Sequence, residues 1–207
     1  AANAQSHAFQ RAMAGVTEHR SNNPNDSFWT WRELMYLFLD QVTPDHIEAI
    51  AALVQMEMLE AGYATNVEFH YLHNAPDGNP YENRSEMAER IMAAAETTGI
   101  GLTMLPVHYQ YGGCDMSPLV RGQCRFYNDL DGFATLCDGV RSGLGNLPAD
   151  TENRAYFQFL FFEQDQQEHP KVVEIDSIHE VEKLLFWHLF FPYYQSNELE
   201  IPSYCCE

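Results

Sequence analysis

Apolar residues along the chain follow two alternating rhythms. From Phe28 to Asp40 they recur at helical spacing, and Asp26 or Ser27 supplies a cap, which predicts a helix. Thr43-Pro44-Asp45 opens a second helix with a hydroxyl cap, a proline where the first turn needs no N–H donor, and an acid at the positive end of the helix dipole. Its apolar face runs through Ile47, Ile50, Leu53, Val54 and Met58, and Gly62 stops it. Ala64 to Leu72 reads as a strand, followed by the turn-rich Asn74-Ala75-Pro76-Asp77-Gly78-Asn79-Pro80. Ser85 to Thr98 then reads as a helix with Glu86 and Glu89 near its start, Ile100 to Tyr109 as an apolar strand, and Asp131 to Val140 as a further helix. This alternation predicts an α/β fold with parallel strands, in which chemistry collects where strands end and loops begin.

The pattern changes near Pro148. Residues 1–150 hold eight arginines and no lysine, whereas the last 57 residues hold Lys171, Lys183 and Arg154 together with twelve aromatics. That shift predicts two units, 1–148 and an aromatic-rich 149–207 that packs on the first. In the second, Ala155 to Phe162 and Lys171 to Ile175 read as strands, and Ser177 to Phe191 as a helix carrying Ile178, Val181, Leu184, Leu185 and Leu189. The tail is thus α+β in character.

Charge narrows the partners. A net charge of −19 without any basic run argues against nucleic acid and against an anionic membrane surface, both of which select clustered Lys and Arg. No apolar run reaches the length of a membrane span, and no signal-peptide pattern opens the chain. Five cysteines without a CxxC pair do not read as a disulfide framework, so the expected compartment is the cytoplasm.

The first candidate chemistry is Gln5-Ser6-His7. Two histidines spaced by one residue at a strand end point the same way and converge on a metal, but here the first position is glutamine, whose amide oxygen is a weak neutral donor for zinc. His70, His73 and His108 also lie near strand ends and read as structural histidines. His169, His179 and His188 with Asp165 and Asp176 form no metal motif.

Four blocks add context: Ser6-His7-Ala8-Phe9-Gln10-Arg11-Ala12-Met13-Ala14-Gly15, Ser27-Phe28-Trp29-Thr30-Trp31-Arg32-Glu33-Leu34-Met35-Tyr36, Glu68-Phe69-His70-Tyr71-Leu72-His73, and Gly99-Ile100-Gly101-Leu102-Thr103-Met104-Leu105-Pro106-Val107. In order and spacing they resemble formimidoylglutamate deiminase, of the amidohydrolase superfamily, over about residues 3–144. The resemblance implies part of a (β/α)8 barrel, its N-terminal half, that hydrolyses the C=N bond of N-formimidoyl-L-glutamate to N-formyl-L-glutamate and ammonia in histidine degradation. It implies Zn2+ as cofactor, a metal that lowers the pKa of bound water toward about 7. By motif, His7 matches the second histidine of the metal pair and Gln5 stands at the first. Gln10 matches a contact to the formimidoyl group. Arg32 and Tyr71 match residues holding the glutamate portion, a task suited to the planar guanidinium fork.

Each of these three has a plainer rival: a solvated helix residue for Arg32, a sheet-packed aromatic for Tyr71, an ordinary first-turn residue for Gln10. The resemblance places most of the first barrel strand before Asn3 and the later ligands outside the matched region. From this follow the expectations of a truncated, impaired enzyme and of open strand edges that pair with a second copy or are covered by the tail. The alternative is a non-catalytic small-ligand-binding or interaction protein built on the half-barrel.

Overall fold

The computed structural model describes residues 1–17, 28–113, 116–148, 154–155 and 158–159. The strands are β1 (Ala2–Ser6), β2 (Thr65–His70), β3 (Gly101–His108), β4 (Arg154–Ala155) and β5 (Gln158–Phe159), and the helices α1 (Phe28–Leu39), α2 (Pro44–Glu60), α3 (Glu86–Thr98) and α4 (Leu130–Gly145). All pairings are parallel. β2 lies between β1 and β3, and β4 and β5 both pair with β3. Parallel strands with intervening helices agree with the α/β expectation and with one wall of a (β/α)8 barrel.

Position in the sheet explains the sequence pattern of each strand. β3 has neighbours on both sides, and Leu102, Met104 and Val107 are fully enclosed, so it reads as one apolar run. β1 is an edge of the described sheet, and its Ala-Asn-Ala-Gln-Ser lacks both β-branched and aromatic residues, which is why hydropathy alone does not reveal it. The expectation that most of the first strand precedes Asn3 is therefore corrected in one respect. A five-residue strand from Ala2 to Ser6 pairs with β2, Ala2 opposite Thr65 and Ser6 opposite Glu68.

Helix ends follow local chemistry. The Thr43 side chain accepts the His46 N–H and the His46 ring returns to the Thr43 N–H, closing a capping box with Pro44 in the first turn. Asp129 caps α4 by accepting from Gly132 N at 2.7 Å, so the helix begins at Leu130, one residue before the predicted start. Gly99 ends α3 at φ 77°, a left-handed conformation that a side chain disfavours. Helices α2 and α3 bury Ile47, Ala51, Ala88 and Ile91 in the same apolar core as Leu102 and Met104. Each isoleucine contributes about 1.5–3 kcal/mol by leaving water, and each alanine methyl about 0.8 kcal/mol.

Apart from the 3-10 turn Arg121–Gln123, the described residues between Tyr109 and Asp129 are held by polar staples. Asn128 accepts the Tyr109 N–H and donates to Val107 O. Arg125 is buried; it donates to Asn74 O at 2.9 Å and to Leu39 O, while its own carbonyl accepts the N–H groups of His73 and Asn74. This ties the ends of β2, β3 and α1 together. Of the expected tail strand Ala155 to Phe162, the pieces Arg154–Ala155 and Gln158–Phe159 pair with Thr103–Met104 and Val107–His108. The strand Lys171 to Ile175, the helix Ser177 to Phe191 and the caps Asp26 and Ser27 lie outside the described residues.

Candidate active site

Three residues that immediately follow strands converge on one end of the sheet: His7 after β1, Tyr71 after β2 and Tyr109 after β3. Sites in such barrels are built at this end. Phe126 joins them from the stapled loop, with ring centroids 4.8 Å from Tyr71, 5.4 Å from Tyr109 and 6.1 Å from Tyr36.

Two of the sequence-predicted substrate residues touch. Gln10, in the 3-10 segment Ala8–Met13, donates from Nε2 to the Tyr71 hydroxyl at 3.2 Å. That same hydroxyl faces Met35 Sδ on α1, the helix that carries Arg32. Loss of surrounding water raises the Tyr71 pKa, so the phenol stays protonated at neutral pH. The Gln10 segment is further tied to α2 by Arg11, whose guanidinium grips Glu57 through two 2.6 Å contacts. That pair is half-exposed and screened by solvent, so it is a weak tie.

Arg32 is not a solvated helix residue. It is 9% exposed, its Nε donates to the Tyr36 hydroxyl one turn on, and its guanidinium lies 5.5 Å from the Trp29 ring centroid and 5.4 Å from that of Tyr36. Arg32, Tyr36, Phe126, Tyr71 and Gln10 thus form a continuous cluster. Sequence reading missed Tyr36, Tyr109, Gln123 and Phe126. Only Tyr36, within the Arg32 block, carried a signal that could have found it.

The metal half is sparser. His7 Nδ1 faces Phe69 O at 3.4 Å and Nε2 faces Gln5 Nε2 at 3.2 Å. With Nδ1 donating to the carbonyl, Nε2 carries the lone pair, the tautomer a metal ligand needs. Burial lowers the His7 pKa, opposed by the Phe69 carbonyl, and keeps the ring neutral. His7 therefore fits a metal. Gln5 does not in this arrangement, because its amide nitrogen donates to the very lone pair that a metal would take. Among the described residues no three His, Cys, Asp or Glu side chains gather to hold an ion, so those residues do not complete a zinc site.

One acid behind the pair was also missed. Glu68 is 2% exposed on β2, and its Oε1 accepts the Ala8 N–H at 2.7 Å, fixing the backbone just after His7. Burial raises its pKa to about 7, partly offset by the Ala8 N–H. His70, His73 and His108 are buried as well. His73 Nε2 bonds Val107 O at 2.9 Å, and burial holds His73 and His108 at about 4 and His70 well below its ordinary value. All three rings are neutral and line the core.

With this geometry in place, comparison with known proteins is informative. No family model matches the chain. Formimidoylglutamate deiminase of Pseudomonas aeruginosa is 49% identical over 142 residues, which are 69% of this chain and 31% of that enzyme. An amidohydrolase from Brucella melitensis superimposes with a TM-score of 0.70 at 47% identity, over 75% of this chain and 34% of its own. Triazine hydrolase from Arthobacter aurescens reaches a TM-score of 0.57 at 17% identity over 93% of this chain and 38% of that one, a likeness of fold alone. The chain therefore spans about a third of the length of these relatives. Fold and sequence converge first on a class: the described residues form part of an amidohydrolase-type barrel. Within that class the chain is similar to formimidoylglutamate deiminase, as its four sequence blocks indicate. Among the described residues no helix is long and apolar enough to cross a membrane.

Proposed function

We propose that the protein carries the substrate-recognition half of a formimidoylglutamate deiminase-type site, a metal-dependent hydrolase acting on the C=N bond of N-formimidoyl-L-glutamate to release ammonia. The observation that carries this reading is the Gln10–Tyr71 hydrogen bond, packed through Met35 against the helix that presents Arg32. These residues come from three separate stretches of sequence and meet at the end of the sheet where barrel enzymes bind substrate.

In this reading the Arg32 guanidinium holds a carboxylate of the glutamate portion, and the neutral Tyr71 hydroxyl donates a second hydrogen bond to it. The Gln10 amide then faces the formimidoyl end. Water is excluded on one side by Phe126 and Phe9, both buried. His7 contributes one neutral imidazole to a metal, with Zn2+ as the ion. Because Gln5 occupies that imidazole's lone pair and no third donor joins it among the described residues, a working metal site needs donors from outside them. Turnover therefore depends on donors that the described residues do not supply.

The test combines binding with chemistry. N-formimidoyl-L-glutamate should raise the melting temperature of the protein, and Arg32→Met should remove the effect. Ammonia release in zinc-supplemented buffer then measures turnover. Equal stabilisation by a formamidine without carboxylates contradicts the assignment, and stabilisation with no detectable ammonia moves the reading to ligand binding without catalysis.

A further inference from the structure

The geometry points to Tyr36, Tyr109 and Gln123 as positioning residues that hold Arg32 as a pre-aimed receptor for a carboxylate, an inference that rests on the reading of Arg32 as the anion-binding group.

A guanidinium has five N–H donors and is carried on four rotatable bonds, so an unrestrained arginine loses considerable side-chain freedom on binding an anion. Here that freedom is removed beforehand. Arg32 Nε donates to the Tyr36 hydroxyl, and the Tyr109 hydroxyl takes a further hydrogen bond from Arg32. Tyr109 is in turn fixed by Gln123, whose Nε2 donates to its hydroxyl at 2.9 Å and to Gly112 O at 3.1 Å, while Gln123 Oε1 accepts the Val120 N–H at 2.9 Å. Each of the four polar atoms of the frame thereby has a named partner.

The choice of phenols has a chemical consequence. A carboxylate in the same place would orient the guanidinium and also neutralise it; a phenol orients it and leaves its charge for the ligand. Loss of surrounding water raises the pKa of both tyrosines, which keeps them un-ionised at neutral pH.

Two glycines make the frame fit. A side-chain carbon on Gly122 would lie 2.3 Å from the Tyr36 ring, and one on Gly112 would lie 2.5 Å from Pro118 O and 3.1 Å from Gln123 Oε1. The turn Arg121–Gln123 can therefore press directly on Tyr36 only because position 122 has no side chain. Neither glycine is at a positive φ, so close approach is the reason for both.

The experiment uses the full chain and two readouts. Nitrogen-15 spectra of the arginine Nε–H groups should show a slowly exchanging Arg32 signal that disappears in Tyr36→Phe, while the Arg125 signal, bonded to Asn74 O, stays in place as an internal control. Calorimetric titration with L-glutamate should show about tenfold weaker binding in Tyr36→Phe and in Tyr109→Phe. Gly122→Ala should shift the Arg32 signal in a folded protein. An Arg32 Nε–H signal unchanged in Tyr36→Phe, or glutamate affinities within about twofold of wild type in both phenylalanine variants, overturns the positioning role. Failure of the unsubstituted protein to bind glutamate overturns the reading of the site instead, and the spectra still decide the frame on their own.

Discussion

The two halves of the candidate site are built to different standards. Around Tyr71 and Arg32, side chains from the segment after β1, from α1, from the end of β2 and from the loop after β3 interlock through aromatic edges and directed hydrogen bonds. Around His7 there is one imidazole, an exposed glutamine and an edge strand of small residues. On the proposed reading, the contrast teaches that the groups recognising a ligand's fixed portion can be assembled within a partial barrel, because they come from neighbouring strands. Metal ligation draws on donors from around a whole barrel, and a single wall supplies only its share.

That contrast can be broken by substitution and by pH. The largest expected effect is at the centre of the recognition half, where Phe126→Ala should lower unfolding free energy by about 3–5 kcal/mol in denaturant titration, since the ring touches three tyrosines and is buried. A loss below about 1 kcal/mol would show that the cluster is loosely packed.

Acidification comes next. His73 and His108, held at about 4, stay neutral in the folded chain while the unfolded chain takes up protons below about pH 6.5, so each removes stability as pH falls through that window. Glu68, raised to about 7, works the other way: the folded state takes its proton first, so its contribution grows as pH falls from 7 towards 4.5. Each of these shifts amounts to roughly 3 kcal/mol, and His70, held well below its ordinary value, adds a third loss, so the losses outweigh the one gain between about pH 6.5 and 4. Thermal melts should fall across that range and fall more steeply in Glu68→Gln. A flat profile would mean that these histidines reach water.

Smaller effects separate the two halves directly. Gln10→Ala should cost about 1 kcal/mol of stability through the lost Tyr71 hydrogen bond. Gln5→Ala, at an exposed position, should change stability by less than about 0.5 kcal/mol. Equal costs at the two positions would erase the distinction between the halves.

Much of the scaffold was legible in the sequence because its causes are local. Thr43-Pro44 announces a helix start, Gly99 a helix end, and the apolar run after Gly101 a strand buried on both faces. The candidate site was legible only where motif blocks carried it, at His7, Gln10, Arg32 and Tyr71. Tyr109, Gln123 and Phe126 escaped because the loop that delivers them has no periodicity and is shaped by long-range staples such as Arg125 to Asn74 O. Gly112 and Gly122 escaped for a related reason: their value lies in what approaches them, which no local pattern encodes.

The central claim is that Arg32, rather than the Gln5–His7 pair, governs recognition of the ligand. Calorimetric titration of N-formimidoyl-L-glutamate into the wild-type chain, Arg32→Met and Gln5→Ala tests it most directly. Saturable binding should be weakened by about a hundredfold in Arg32→Met and stay within about twofold in Gln5→Ala. Binding that survives Arg32→Met, or is lost in Gln5→Ala, would contradict it.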